Sequence, residues 1–306
     1  MTKMKFLKIA LSSVGVLALS FGIAANALAD PAFTHFPNNG LGTNTTDKPN
    51  SGRTKVVSSV LTDRDWCAVP DRGRYYNIGS PYRVESAGRM VDNNPVVFGR
   101  RTTDGLPVMV KQDSTGGNCV PTAFAGLGNI GVGSDWKIVG SGRFNADAGR
   151  DLYWYNSSNG QIAIWNTSTP SATITSQTVV DTNTSLDYVA QAVGDFNGDG
   201  QGDMFFRSNA TGGNVIWYAN GQGAFVKVNL SGSSPAYATL TNQNWQVFGS
   251  QDTNLDGRDD LMWRDYGNGQ IATWRMTTGL GVVQEVYTYP QTIPLGDKAV
   301  APTVWP

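Results

Sequence analysis

Asp195-Phe196-Asn197-Gly198-Asp199-Gly200-Gln201-Gly202-Asp203 sets oxygen-bearing side chains at loop positions 1, 3, 5 and 9, with a glycine at position 6. A short loop of this kind wraps a hard cation. Alternate residues point carboxylates and an amide inward, the glycine permits the sharp turn, and the carbonyl of position 7, Gln201, completes the shell. The pattern returns in Asp252-Thr253-Asn254-Leu255-Asp256-Gly257-Arg258-Asp259-Asp260, where Arg258 lends the carbonyl. A worn copy reads Arg143-Phe144-Asn145-Ala146-Asp147-Ala148-Gly149-Arg150-Asp151. The expected ion is Ca2+, held by Asp195, Asn197, Asp199, Gln201 and Asp203 in one loop and by Asp252, Asn254, Asp256, Arg258 and Asp260 in the next. Asn145, Asp147 and Asp151 form a weaker third set.

An EF-hand needs a bidentate Glu at position 12 and flanking helices. Position 12 is Phe206 in one copy and Trp263 in the other, and the runs Asp203–Arg207 and Asp260–Arg264 read as strands. These loops therefore join strands.

From Trp136 onward the loops sit inside a repeat. With Trp136, Tyr188 and Trp245 as equivalent starting points, Arg143, Asp195 and Asp252 fall together. So do Asp151, Asp203 and Asp260; Trp154, Phe206 and Trp263; Gly160, Gly212 and Gly269; and Trp165, Trp217 and Trp274. The starting points lie 52 and 57 residues apart. In the last unit, strand signals fall at 245–249, 260–264, 270–275 and 282–289, with matching last runs at 173–180 and 225–230. Four antiparallel strands per repeat of about 40–55 residues is the arithmetic of a β-propeller blade. The expected fold is all-β, a propeller of four-stranded antiparallel blades; an internally duplicated sandwich is the runner-up. A fainter unit precedes these if Phe98-Gly99 is set on Phe248-Gly249, Asp104-Gly105 on Asp256-Gly257, and Gly117 on the shared glycine.

Residues 1–29 read as a cleaved export leader, with Lys3, Lys5 and Lys8 before an apolar run and Ala27-Leu28-Ala29 before Asp30. That places the product outside the cytoplasm, at the cell surface, in the medium or in the periplasm, with no membrane span once the leader is removed. Without the leader lysines, 20 basic residues face 24 acidic ones, a net charge of −4, and no basic patch points to nucleic acid. Residues 30–55, rich in Pro, Asn, Gly and Thr, read as a flexible arm. Residues 56–133 read as a degenerate β region, with short strand-like runs at 56–61, 74–78, 95–98 and 108–111, and 134–306 as the repeat blades. Cys67 and Cys119 are the whole cysteine count, and an oxidising compartment favours one disulfide between them.

The loop, the flanking strand and two aromatic positions recurring together resemble the bacterial FG-GAP, or VCBS-type, repeats, which build integrin-α-like propellers. The resemblance covers about 134–290 clearly and 94–130 faintly. It implies calcium on the positions named above. The first loop departs from the pattern: Arg143 replaces the leading aspartate and Ala148 the turn glycine. A guanidinium there is expected to pair with Asp147 or Asp151 in place of the ion. The Gly-Ala-Pro element of the family is absent.

The recurrent tryptophans admit two readings, packing between blades and stacking on sugar rings. Arg207 and Arg264 read as lining a face or forming solvated pairs. The single histidine, His35, lies in the arm, which leaves little for a Ser-His-Asp, Cys-His or histidine-rich zinc site. The sequence thus points to a non-enzymatic recognition or adhesion module for a glycan or an extracellular protein. The alternatives are a secreted carbohydrate-active enzyme with a carboxylate pair and a purely structural envelope protein. It specifies no catalytic residues, no ligand contacts and no oligomeric state.

Overall fold

The structure is a computed structural model that describes residues 33–37, 53–57, 74–77, 82–89, 95–101, 103–112, 121–127, 132–145, 147, 149–168, 173–232, 237–254, 256–292 and 297–300. The expected leader and both cysteines fall outside them.

Four of the five described sheets are built from β-strands that follow one another in the chain. β1 (Phe33–Pro37), β2 (Arg53–Val57) and β3 (Arg74–Asn77) come first. Blade one is β4 (Tyr82–Arg89), β5 (Pro95–Arg101), β6 (Pro107–Gln112) and β7 (Pro121–Gly126). Blade two is β8 (Trp136–Gly142), β9 (Asp151–Asn156), β10 (Gln161–Ser168) and β11 (Thr173–Thr182). Blade three is β12 (Tyr188–Gly194), β13 (Asp203–Ser208), β14 (Asn214–Ala219) and β15 (Phe225–Asn229). The short β16 (Ser231–Gly232) leads on to blade four, which is β17 (Trp245–Gln251), β18 (Asp260–Asp265), β19 (Gln270–Met276) and β20 (Val282–Thr292). β16 pairs in parallel with the outer strand β20. β21 (Asp297–Val300) ends the series.

Within each blade the strands form an antiparallel meander, and the first strands β4, β8, β12 and β17 stand side by side. This is the propeller arrangement. A fifth sheet has the order β21-β1-β2-β3, so strands from the two ends of the chain are hydrogen-bonded together. β21 lies next to β17, which continues the row of inner strands beyond blade four. The span read as a flexible arm therefore contributes β1 and the first residues of β2 to this sheet.

The second strands explain why the pattern is not a simple alternation. All six residues of β9, β13 and β18 are buried, because a blade between two neighbours has no wet face. Three apolar clusters fill the gaps. One gathers Phe98 and Met109 with Trp154 and Trp165; the next gathers Tyr153 and Tyr155 with Met204, Phe206 and Trp217; the third gathers Phe205 and Ile216 with Trp263 and Trp274. The inter-blade packing reading of the tryptophans matches their near-complete burial.

Each inner strand of the four blades carries a β-bulge at one shared place, where the register skips Glu85, Val139, Gln191 and Phe248. The bulge turns a side chain toward the next blade. Glu85 Oε2 accepts the Ile138 N–H at 2.9 Å, and Gln191 Oε1 accepts the equivalent Val247 N–H at 2.9 Å.

The faint first unit is real, but its frame differs from the one expected. Phe98 lies on the second strand of blade one, opposite Ser86, where Tyr153, Phe205 and Met262 stand in the other blades. Gly105, rather than Gly117, is the shared glycine. It has φ +72°, against +74° at Gly160, +77° at Gly212 and +80° at Gly269. Blades three and four each hold two glycine turns, at Gly200 and Gly212 and at Gly257 and Gly269, so a one-strand slip in alignment goes unnoticed in the sequence.

Candidate functional site

The acid-rich loops join the first and second strands of blades two, three and four, and adjacent loops are bonded together. The Gly202 N–H donates to the Arg143 carbonyl at 2.6 Å, and at the equivalent place the Asp259 N–H donates to the Asp195 carbonyl at 2.7 Å. The Asp195 N–H in turn donates to Asp259 Oδ2 at 2.8 Å. The three loops thus form a continuous row at one end of the inner strands.

Positions 1, 3 and 5 shape the turn. Asp195 caps the turn, accepting the N–H groups of Gly198 at 2.8 Å, Asp199 at 3.0 Å and Gly200 at 2.8 Å. Asp252 does the same for Asp256 at 3.1 Å and Gly257 at 2.8 Å. Gly200 and Gly257, at position 6, share φ +85°, which only glycine adopts without strain. The amides lie beside the position-5 acids: Asn197 Nδ2 is 2.8 Å from Asp199 Oδ2, and Asn254 Nδ2 is 2.9 Å from Asp256 Oδ2. Burial pushes the Asp195 carboxyl up to about 6, against the pull of its backbone donors.

Position 9 does something else. Asp203 is fully buried, and its two oxygens accept the N–H groups of Phe196 at 3.0 Å and Ala219 at 2.9 Å. Asp151 accepts from Phe144 at 3.1 Å and Thr167 at 3.0 Å. Asp260 accepts from Thr253 and Met276, each at 3.0 Å, and also from the Thr253 hydroxyl. In every copy the donors lie seven residues before and sixteen residues after the acid. Position 9 is therefore a staple that ties the loop to the end of the third strand. Burial raises these carboxyls, to about 6 at Asp151 and about 7 at Asp260, and well above the usual range at Asp203.

Calcium fits this donor set in part. The Asn254 side-chain oxygen is buried without a hydrogen-bond partner beside Asp256, an arrangement a cation would satisfy. Asp199 and Asp256 are held by local donors only, and the position-7 carbonyls follow the glycine turns. Asp203 and Asp260 have each oxygen on a backbone donor, so any share they take in a cation shell comes on top of the staple. Among the described residues, no three His, Cys, Asp or Glu side chains stand grouped as a metal site. The two loops also differ. Arg258 forms an ion pair with Asp256 at 2.7 Å, whereas the equivalent Gln201 has a buried amide oxygen without a partner.

The worn loop is a different object. Arg143 is exposed, and the expected pairing with Asp151 does not form, since Asp151 is fully committed to the backbone. Asp147 accepts the Gly149 N–H at 2.7 Å, and Asn145 makes an isolated bridge with Gln222 of blade three. Arg143, Arg150, Asp195, Gln201 and Asp259 line a pocket of about 230 Å3 between the loops. Arg150 is held below its usual pKa by burial, and Asp259 is driven well above the carboxylate range by burial.

Two groups of residues went unread in the sequence. Arg207 and Arg264 are fully buried rather than solvated. Arg207 forks onto the carbonyls of Gly212 at 2.9 Å, Leu240 at 2.6 Å and Asn242 at 3.2 Å, and onto Asn214 Oδ1 at 3.0 Å. Arg100 holds the equivalent place in blade one, reaching the Gly133 carbonyl at 2.8 Å and Glu85 at 2.6 Å. Arginine five residues before the shared glycine was the available signal. The second group is the pair Gln191 and Gln246, hydrogen-bonded across blades three and four, which no motif marks.

No family model matches the chain, and no curated protein matches it. Among solved structures it is similar to the Dos1 propeller, with 10% identity over 79% of this chain and 55% of that one, at a TM-score of 0.38. It is similar to a putative 6-phosphogluconolactonase from Bacteroides uniformis, with 12% identity over 82% of this chain and 72% of that one, at 0.38. The Cps50 (Swd1) β-propeller domain of Myceliophteria thermophila shows 11% identity over 79% and 68%, at 0.39. The chain thus spans about half, 55%, of the first of these. These likenesses concern the fold.

Proposed function

We propose that the chain is an exported, calcium-stabilised β-propeller of the FG-GAP or VCBS kind that serves as a non-enzymatic recognition module for a glycan or an extracellular protein. The observation that carries the calcium part is the buried, partnerless Asn254 oxygen next to Asp256, inside a loop already turned by Asp252 and Gly257. Asp252, Asn254, Asp256 and the Arg258 carbonyl would hold one ion, and Asp195, Asn197, Asp199 and the Gln201 carbonyl the other. Bound calcium supplies charge neutralisation among clustered acids. Asp203 and Asp260 keep the loops in place through the backbone whether or not the ion is bound.

Calorimetric titration of chelator-treated protein should show two binding events, the one at Asp252–Asp256 weaker because the Arg258 guanidinium competes for Asp256. Asp199→Ala and Asp256→Ala should each remove one event. A titration without heat, or variants that change nothing, would sink the calcium reading. For recognition, glycan-array binding without product release is the expected result. Release of shortened sugars would favour the secreted-enzyme reading, and an array and a surface-protein panel both left blank would favour a structural role.

A further inference from the structure

Three blades carry one and the same aromatic pair. Trp154 and Trp165 in blade two have ring centroids 4.5 Å apart and tilted 37°. Phe206 and Trp217 in blade three are at 4.5 Å and 35°, and Trp263 and Trp274 in blade four at 4.3 Å and 38°. What covers the pair differs. In blade three, Lys227, paired across from Trp217, sets its ammonium 3.6 Å from the centre of the indole ring. In blade four, Tyr237, brought in by the long connection after β16, packs edge-on against Trp274 at 5.3 Å. In blade two the residue across from Trp165 is Gln177, and no ring or cation among the described residues caps the indole. A pocket of about 320 Å3 opens there instead, lined by Trp136, Trp154, Trp165, Gln177, Thr178 and Val179 among others.

We infer that this pocket is a binding site for one neutral pyranose ring; the inference rests on the recognition reading above and names its site. The partly exposed Trp136 offers an indole suited to the C–H face of a sugar, and Trp165, 7% exposed, presents only an edge at the floor. The rim holds the exposed Gln177 amide and Thr178 hydroxyl, which can meet ring hydroxyls at their edges. No charged side chain lines the pocket among the described residues, so it selects against uronates, phosphosugars and other anions. Its volume lies at the low end of small-molecule sites, about 300–1,000 Å3, which suits a single ring rather than a chain buried along its length. Trp154 adds a buried indole N–H without a hydrogen-bond partner. Trp263 of blade four has the same unpartnered donor. The site commits blade two, at its junction with blade one, to ligand contact and leaves blades three and four as scaffold.

The test uses the full chain and four probes, the methyl glycosides of glucose, galactose and mannose, and N-acetylglucosamine, with glucuronic acid as the charged control. Indole N–H signals of 15N-labelled protein are followed beside a glycan array. At least one neutral sugar should shift the Trp154 and Trp165 signals with a Kd of about a millimolar, as expected for a single stacked ring, and glucuronic acid should not. Gln177→Lys copies the Lys227 cap and should weaken binding at least tenfold with Tm unchanged; Gln177→Ala should weaken it several-fold. If the wild type and Gln177→Lys bind an array glycan equally, the pocket assignment falls and the recognition reading survives. If no neutral sugar shifts these indoles, or a segment of the chain itself is found seated in the pocket, the assignment falls as well. If array and protein panel are blank for the wild type, both readings fall together.

Discussion

Blade one and blade three have the same skeleton and differ in the loop between their first two strands. In blade three Asp203 pairs opposite Gly194 and staples an acid-rich loop; in blade one Val96 pairs opposite Gly88 at the same place, and the staple is gone. The rest survives. Gly105 and Gly212 hold the same left-handed turn, the bulges at Glu85 and Gln191 reach the same N–H of the next blade, and Arg100 and Arg207 fork onto the connection that follows. A blade is thus specified by its bulge and its second glycine, with a buried arginine in blades one, three and four where blade two has Tyr155. The acid-rich loop is an addition to three of them.

The arginines give the most demanding test of that equivalence. Arg207→Ala leaves three backbone carbonyls and the Asn214 oxygen without their donor in a buried space, and should cost about 4 kcal/mol in urea unfolding. Arg100→Ala strips the partner from Glu85, whose side chain is 3% exposed, and should cost about as much. A large loss in one and none in the other would break the comparison.

The glycines come next. A Cβ at Gly212 would run into the Leu240 carbonyl oxygen and one at Gly105 into the Val132 carbonyl oxygen, on top of their positive φ. Either change to alanine should cost about 3 kcal/mol by the same unfolding measurement. Gly200 has a similar φ but open space around it, so Gly200→Ala should cost only about 1 kcal/mol. Equal losses at Gly200 and Gly212 would show that conformation, rather than the close approach, decides.

Asp203→Ala separates staple from ligand. Two buried N–H groups lose their acceptor, so stability should fall by about 2 kcal/mol in calcium and in EDTA alike. Asp199→Ala should lower Tm only in calcium, because its bonds are local to an exposed turn. A calcium-dependent penalty at Asp203 would return position 9 to the metal shell.

The repeat frame made the last three blades readable down to their strands: 245–249, 260–264, 270–275 and 282–289 fall within β17 to β20. The turn of the loop was readable at positions 1 and 6, where an acid caps the chain and a glycine takes the left-handed conformation. The staple at position 9 was not legible, because a carboxylate that binds a cation and one that accepts two backbone N–H groups look alike in a string of letters. Arg207 was misjudged for a related reason. Its partners are carbonyls, which every residue has, and the ones it reaches lie as far as 35 positions away. Blade one was found and misframed because it keeps the skeleton and has lost the loop that set the alignment.

The smallest effect tests the cap that distinguishes blade three from blade two. Lys227 lies over Trp217 and pairs with Asp181 of blade two at 3.1 Å, with both side chains partly in solvent. Lys227→Gln gives blade three the residue type found at Gln177 and should cost about 0.5–1 kcal/mol, mostly from the cation–π contact. A double-mutant cycle with Asp181→Asn apportions the loss. A coupling near zero leaves the indole as the partner that matters and makes Lys227 a lid on Trp217. A coupling as large as the whole loss makes it an ordinary inter-blade ion pair, which 1 M salt would then remove. In that case the difference between blades two and three would lie in surface charge, and a lysine placed at position 177, which has no aspartate equivalent to Asp181 shown beside it, would not be expected to close the pocket of blade two.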